Sequence, residues 1–408
     1  MSDSPELQAL LDGLYHPELK TIDLSLDRLK AYLAHLGNPQ EKLPPVVHVA
    51  GTNGKGSTIA FIRAAMEEAG YRCHVYTSPH LVSFCERIVL GGKQVEDAQL
   101  LPVLERIAAD NKAFPLTFFE ATTVAALILF AEHPADVVLL EVGMGGQYDA
   151  TNVITQPAAS VITPVSMDHQ AFLGNDVGAI AYEKACIIKE KCPVVVANQS
   201  DEALAVIADK AKALQAPMQT AYAAEADGLG LLGKHQRQNA ATAKAVLELL
   251  KSAFPKLPED VAASFAKATW PARLQKMEHF SLLPDGWDVW LDGGHNAAAG
   301  EVIGAWLEEM AEPKFHVLCA MVQGKDSAAF LQPIAEQVAS IHCVAIEGEP
   351  LSQGAQELYE GAQSLHPKAY HYNSVQEACE AIAHQSKAGR VLCCGSLYFA
   401  GKLLECSQ

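Results

Sequence analysis

Apolar residues in this chain fall into short, near-continuous runs separated by longer amphipathic stretches, a rhythm that predicts an α/β protein. Strands are expected at 46–50, 74–78, 136–141, 159–164 and 192–197. The run at 136–141, DVVLLE, is apolar almost throughout, so it is expected to be buried on both faces of a parallel sheet. Helices are expected at 59–69, 96–111, 121–132, 180–189 and 238–251. Residues 1–45 read as helical, with Leu24, Leu26, Leu29 and Leu33 on or near one face, and Pro44-Pro45 ends that segment.

The pattern starts afresh near Trp270-Pro271. Strand-like runs at 288–292, 315–321, 342–347, 369–372 and 391–395 alternate with helical stretches. They predict a second parallel α/β unit of about 130 residues, a plausible domain by size. The fold class is α/β, with an expected larger domain over 1–274, a linker over 275–285, and a smaller Rossmann-like domain over 286–408. The glycine loop of His48 to Thr58 makes the larger one a P-loop-type ATPase domain with a mostly parallel sheet, and so the ATP-binding domain.

The segment from His48 to Thr58, HVAGTNGKGST, lies between a predicted strand and a predicted helix. Strand, glycine loop, helix is the order that phosphate binding needs. Gly51, Gly54 and Gly56 let backbone N–H groups approach phosphate oxygens, and the helix adds its positive end. Lys55 can reach outer phosphates, and Ser57 or Thr58 can meet magnesium. The usual pattern, G-x-x-x-x-G-K-[ST], is not met strictly: Val49 stands at its first Gly, and Gly56 separates Lys55 from the hydroxyl. A bare β–α turn is the alternative, but such a turn needs neither the lysine nor the hydroxyls.

Other polar groups close predicted strands, where ligands of open α/β sheets lie. Ser78, Glu141 and His169 could hold a divalent ion; oxygen ligands with one imidazole suit magnesium or manganese. Lys184 sits among Ala185, Cys186, Ile187 and Ile188. Desolvation there would favour the neutral amine, which can add carbon dioxide and become a carbamate ligand; a solvated helix lysine is the alternative. Asp292 could accept from ribose hydroxyls and His295 could contact a phosphate. Arg273 could neutralise phosphate charge across the domain junction, so a nucleotide is expected between the domains, with closure on binding.

Composition narrows the classes. Half of the 408 residues are hydrophobic, enough for sizeable cores, and the length suggests two or three domains. A net charge of −18 disfavours nucleic acid and anionic membrane as partners. No apolar stretch approaches the ~20 residues of a membrane span. The start, MSDSPELQ, lacks the basic and apolar regions of a signal peptide, so a cytoplasmic location is expected. The ten cysteines form no C-x-x-C pair and read as small buried hydrophobes rather than a zinc site.

Taken together, IDLSLDRL, HVAGTNGKGST, TSPHLVSFCERI, TFFE, LLEVGMGG-x-x-DATN, DH-x-x-x-LG, EKACIIK, NAATA, WPARLQ, LDGGHN and GSLY occur in one order over nearly the whole chain. In this the sequence resembles the folylpolyglutamate synthase family, and its bacterial bifunctional dihydrofolate synthase/folylpolyglutamate synthase members most. The related Mur ligases share the phosphate loop but usually carry an extra N-terminal domain for a UDP-linked substrate; 47 residues precede His48 here.

The resemblance implies an ATP-dependent ligase that joins L-glutamate to dihydropteroate and to folates through an acyl phosphate. It implies that Thr52, Asn53, Gly54, Lys55, Gly56 and Ser57 wrap the ATP phosphates, with Asn239, Arg273, Asp292 and His295 as further ATP contacts. Ser78 and Glu141 would hold one magnesium ion; His169 and a carboxylated Lys184 would hold a second. Lys55, His169 and Lys184 would be catalytic. Thr117, Phe118, Phe119 and Glu120, with Tyr148, Asp149 and Ala150, would line the pteroate pocket. A monovalent cation and a monomeric state are also implied. Gln147-Tyr148 stands where Arg-Leu is common, Ala272 and Cys186 stand where Gly is usual, and Gly294 stands where Ala is frequent. Two rivals remain, a Mur-type ligase acting on a cell-wall precursor and a non-enzymatic nucleotide switch.

Overall fold

The structure is a computed structural model that describes residues 3–14, 25–168, 174, 176–223, 226–310, 312–385 and 387–405. It divides into two compact units. The first comprises Met1–Val165, Asp176–Gly230 and Arg237–Ala268; the second comprises Ser166–Asn175, Leu231–Gln236 and Thr269–Gln408.

The first unit is built on an eight-stranded sheet. In chain order its strands are β1 (Val46–Ala50), β2 (Cys73–Tyr76), β3 (Ile88–Leu90), β4 (Lys93–Gln94), β5 (Val137–Glu141), β6 (Ala159–Ile162), β7 (Val194–Ala197) and β8 (Met218–Ala221). In space the order is β4-β3-β2-β5-β1-β6-β7-β8. The pairings from β2 through β8 are parallel, while β3 and β4 add antiparallel pairs at one edge. Every residue of β1, β2, β5, β6 and β7 is buried, as expected for strands covered by helices on both faces.

The chain leaves β1 for strands on one side and later returns to its other side. The carboxyl end of β1 is therefore the switch point of the sheet, where neighbouring connections diverge and leave a crevice. Register fixes what meets there: Val49 pairs with Glu141 on one side and with Val161 on the other. The helix Phe118–Glu132 is apolar all round and almost wholly buried against this sheet. Thr117 and Glu120 close a capping box at its start.

The second unit carries a six-stranded sheet of β9 (Gln275–Lys276), β10 (Trp287–Leu291), β11 (His316–Cys319), β12 (Ser340–Cys343), β13 (Ala369–His371) and β14 (Gly389–Cys394). Their spatial order is β13-β12-β11-β14-β10-β9, parallel except for β9 against β10. The helices Ala297–Glu309 and Ser327–Ala335 contribute Ile303, Trp306, Phe330 and Ile334 to its core. No helix among the described residues is long and apolar enough to cross a membrane.

Candidate functional site

The glycine loop opens the helix Lys55–Glu68 at the switch point. Gly54 is the cap residue, with φ +86°, and a Cβ there would run into the Asn239 carboxamide. Only glycine combines that left-handed backbone with so close a neighbour. Asn239, on the helix Gln236–Leu250, thus buttresses the loop. On the loop's other flank the N–H groups of Thr52 and Asn53 both donate to the Pro164 carbonyl, at 3.0 and 3.3 Å, which ties the loop to the segment after β6. Ser57 and Thr58 are buried within the first turn, and Thr58 Oγ1 has no hydrogen-bond partner among the described residues.

Lys55 curls back over this loop. Its ammonium donates to the carbonyls of Gly51 and Thr52, at 3.2 and 3.3 Å, and lies 3.9 Å from Glu141 Oε1. The other oxygen of Glu141 accepts the Ser78 N–H at 3.2 Å. Lys55, Ser78 and Glu141 are therefore together, and the carboxylate is buried. Lys184 is also buried, on the helix Val177–Ala185. That helix packs against the loop after β5 so closely that a Cβ on Gly146 would strike the Glu183 carbonyl and lie 3.0 Å from Lys184 Cα. Gln147 N–H donates to Glu183 Oε2 at 3.2 Å, and the Cys186 thiol reaches Gln147 Oε1 at 3.6 Å. His169 lies outside the described residues.

The residues expected around pteroate divide by environment. Glu120 is buried; it closes the capping box and receives Arg28 Nη2 on both oxygens, at 3.0 and 2.8 Å. Phe118 packs edge-on to Phe84, and Phe119 faces Tyr76. Tyr148 is exposed. Asp149 and Ala150 are buried, and the Asp149 carboxylate accepts the N–H groups of Gly143 and Met144, each at 3.0 Å. Burial pushes the Asp149 pKa up, and its hydrogen bonds oppose the rise.

In the second unit, Asp292 follows β10 and is buried. It accepts Leu274 N–H at 2.9 Å and Gly294 N–H at 2.7 Å. Burial raises its pKa, while the Arg273 guanidinium pulls it down. Arg273 donates to its neighbour's carbonyl, Ala272 O, at 2.9 Å. His295 Nε2 lies 3.5 Å from Asp168 Oδ2. Asp168 also receives Lys325 Nζ at 2.5 Å and Asn296 Nδ2 at 3.1 Å. Sequence reasoning assigned no role to Asp168 or Lys325. A usable signal existed, since Lys325 follows Gly324 just beyond β11, again polar chemistry at a strand's carboxyl end.

The family model for the Mur ligase middle domain matches residues 49–228, and that for the dihydrofolate synthetase C-terminal domain matches 275–406. A dihydrofolate synthase/folylpolyglutamate synthase of Bacillus subtilis is 36% identical over 335 residues, covering 74% of this chain and 76% of the relative. The chain belongs to the folylpolyglutamate synthase family. Solved structures of the family agree over nearly the whole chain. The Mycobacterium tuberculosis folylpolyglutamate synthase complexed with ADP matches with a TM-score of 0.86 at 27% identity, over 98% of this chain and 97% of that one. The bifunctional folylpolyglutamate synthase/dihydrofolate synthase of Yersinia pestis, with AMPPNP and Mn ion, matches at 0.85 with 30% identity over 98% of both chains.

Proposed function

We propose that this chain is an ATP-dependent carbon–nitrogen ligase that adds L-glutamate to 7,8-dihydropteroate and to the glutamate tail of tetrahydrofolate. The observation that carries the reading is the meeting of Lys55, Ser78 and Glu141 beside a glycine loop at the sheet's switch point, in a member of this family.

The buried Glu141 carboxylate beside Ser78 is an oxygen-donor setting that fits magnesium or manganese. Ser78 and Glu141 would hold one ion, and His169 with Lys184 as its carbamate would hold a second. Such ions, when bound, supply positive charge against the phosphate oxygens. The protein's own part is positioning and electrostatics. The backbone of Thr52, Asn53, Gly54, Gly56 and Ser57 cradles the phosphates while Asn239 supports the loop. Lys55 turns from the Gly51 and Thr52 carbonyls to the outer phosphate. Arg273, Asp292 and His295 are further nucleotide contacts. Thr117 to Glu120 and Tyr148 to Ala150 bound the pteroate.

A carboxylate oxygen of the pteroate attacks the γ-phosphorus and ADP leaves, giving an acyl phosphate. The amine of L-glutamate then attacks the acyl carbon, the carbon–oxygen bond to phosphate breaks, and the amine's proton passes to solvent. No covalent enzyme intermediate is needed. The enzyme works as a cytoplasmic monomer, with 1–274 as the domain that carries the phosphate loop and 286–408 as the second domain.

The test is ADP release with ATP, magnesium and L-glutamate, adding dihydropteroate, tetrahydrofolate or a UDP-muramyl peptide in turn. Release with both folate-type substrates supports the reading. Release with the muramyl substrate alone makes the chain a Mur-type ligase. ATP binding without carboxylate-dependent ADP release makes it a switch.

A further inference from the structure

We propose that Thr151 and His48 are positioning residues for the pteroate substrate: the chain Asp149–Thr151–His48 locks the loop after β5 to the strand that feeds the phosphate loop. The inference rests on the ligase reading above and adds two residues to it.

The hydrogen positions follow from the donors. Asp149 Oδ2 accepts the Gly143 and Met144 N–H groups at the start of the loop. Its Oδ1 accepts both the N–H of Thr151, at 2.9 Å, and the Thr151 hydroxyl, at 2.5 Å. A hydroxyl has one hydrogen to give. With that hydrogen on the carboxylate, Thr151 Oγ1 must act as acceptor toward His48 Nε2, which lies 2.8 Å away. His48 therefore carries its proton on Nε2 and presents a bare lone pair on Nδ1.

His48 is fully buried in the middle of β1, between Leu140 and Ser160 on the neighbouring strands, and its Nδ1 has no hydrogen-bond partner among the described residues. Burial and the nearby Lys189 ammonium keep the ring neutral, with its pKa pushed down to about 3. An apolar side chain would fill this place without leaving an orphaned acceptor. What the histidine adds is orientation. Its one bond anchors the far end of the loop, Thr151, to the strand that becomes Gly51 three residues later. The same carboxylate holds the near end, two residues beyond Glu141. The exposed Met144 side chain projects at the near pinned end, and the exposed Tyr148 side chain lies between the two. Loosening the relay should therefore misplace the loop relative to the phosphate loop and leave the phosphate loop itself intact.

The experiment compares Thr151→Val, Thr151→Ser, His48→Leu and His48→Gln. It reads KM for dihydropteroate, kcat, the ADP dissociation constant and Tm. Thr151→Val should raise KM for dihydropteroate on the order of 10–100-fold, the range typical of groups that orient a ligand-bearing element. ADP affinity should hold. Thr151→Ser keeps the hydroxyl and should restore KM. His48→Gln, which offers an amide N–H, should outperform His48→Leu. An unchanged KM in Thr151→Val overturns the proposal. So does a parallel loss of ADP affinity and Tm that Thr151→Ser fails to correct, because that would mark a general scaffold role. Wild-type protein that turns over neither dihydropteroate nor tetrahydrofolate overturns the ligase reading itself, and the relay's role with it.

Discussion

At the scale of single residues, the phosphate loop concentrates most of the chemistry. Lys55 is held by two backbone carbonyls and by Glu141, so its ammonium is already parked at the switch point. Lys55→Ala should lower kcat by about two to three orders of magnitude or more, as loss of a preorganised charge contact does, read by ADP release. Gly54→Ala should act differently. It forces a Cβ into Asn239 and strains a left-handed backbone by about 1–2 kcal/mol, so it should weaken nucleotide binding and lower Tm together. The loop was legible in the sequence because a lysine and two hydroxyls beside three glycines, between a strand and a helix, exceed what a bare turn needs. Asp149 was legible only through the family resemblance, as one of the residues expected to line the pteroate pocket. That it accepts three backbone N–H groups and relays through Thr151 to His48 was not, because a hydrogen-bond chain depends on which atoms meet and leaves no spacing signature.

At the scale of elements, the runs buried on both faces gave themselves away. β1, β5, β6 and β7 lie where continuous apolar stretches predict them, within one to two residues at each end. The misses are mostly at the edges, although the strand expected at 342–347 is an interior one, β12, and lies at Ser340–Cys343. β4 and β9 are two residues long and polar, and β8 is largely exposed, so no run of apolar residues marks them; β3 is apolar, Ile88-Val89-Leu90, but only three residues long. β9 lies within the span expected to be a linker. The helix Val177–Ala185 stops earlier than its apolar continuation suggests: Ile187 and Ile188 close tight turns onto the Lys184 and Ala185 carbonyls, and the Ile187 carbonyl accepts the Ser160 hydroxyl of β6 at 3.0 Å. The helix Phe118–Glu132 begins at a box whose acid is also paired with Arg28. Thr117→Ala should destabilise the first unit by roughly 1 kcal/mol, the usual worth of a side-chain cap, as read by a shift in denaturation midpoint. Glu120→Gln should lose more, since it weakens the cap and the partly buried ion pair with Arg28 together.

At the scale of the whole molecule, both units bury histidines that must stay neutral. Burial, the largest cause in each case, pushes His48 and His342 down to about 3, and His80 and His235 down to about 4. Neighbouring positive charge adds to it, Arg87 for His80 and Arg273 for His235. His342 further shares the Ser340 hydroxyl with His316, each nitrogen 2.7 Å from the oxygen. In the unfolded chain these rings titrate near 6.5, so a proton is taken up there first. Their contribution to stability is complete above that pH and is lost as pH falls toward 4. The denaturation midpoint should be flat above pH 7 and fall between 6.5 and 5, where ordinary carboxylates remain ionised. Each histidine contributes a limiting slope of roughly 1.4 kcal/mol per pH unit. His342→Gln should flatten that slope; an unchanged slope would show that His342 does not carry its share.

The two-unit α/β architecture was legible because alternation of strand and helix runs restarts near Trp270. The placement of Asp168 and Lys325 was not. They lie 157 residues apart and meet only through folding.

The central claim is that a pteroate carboxylate is activated by ATP and then joined to glutamate. The most direct measurement supplies dihydropteroate with an oxygen-18-labelled carboxylate, together with ATP, magnesium and L-glutamate, and follows both products by mass spectrometry. The account expects dihydrofolate to form and the released phosphate to carry one labelled oxygen, transferred when the acyl phosphate breaks down. Absence of a glutamylated product, or a product formed with wholly unlabelled phosphate, would contradict it.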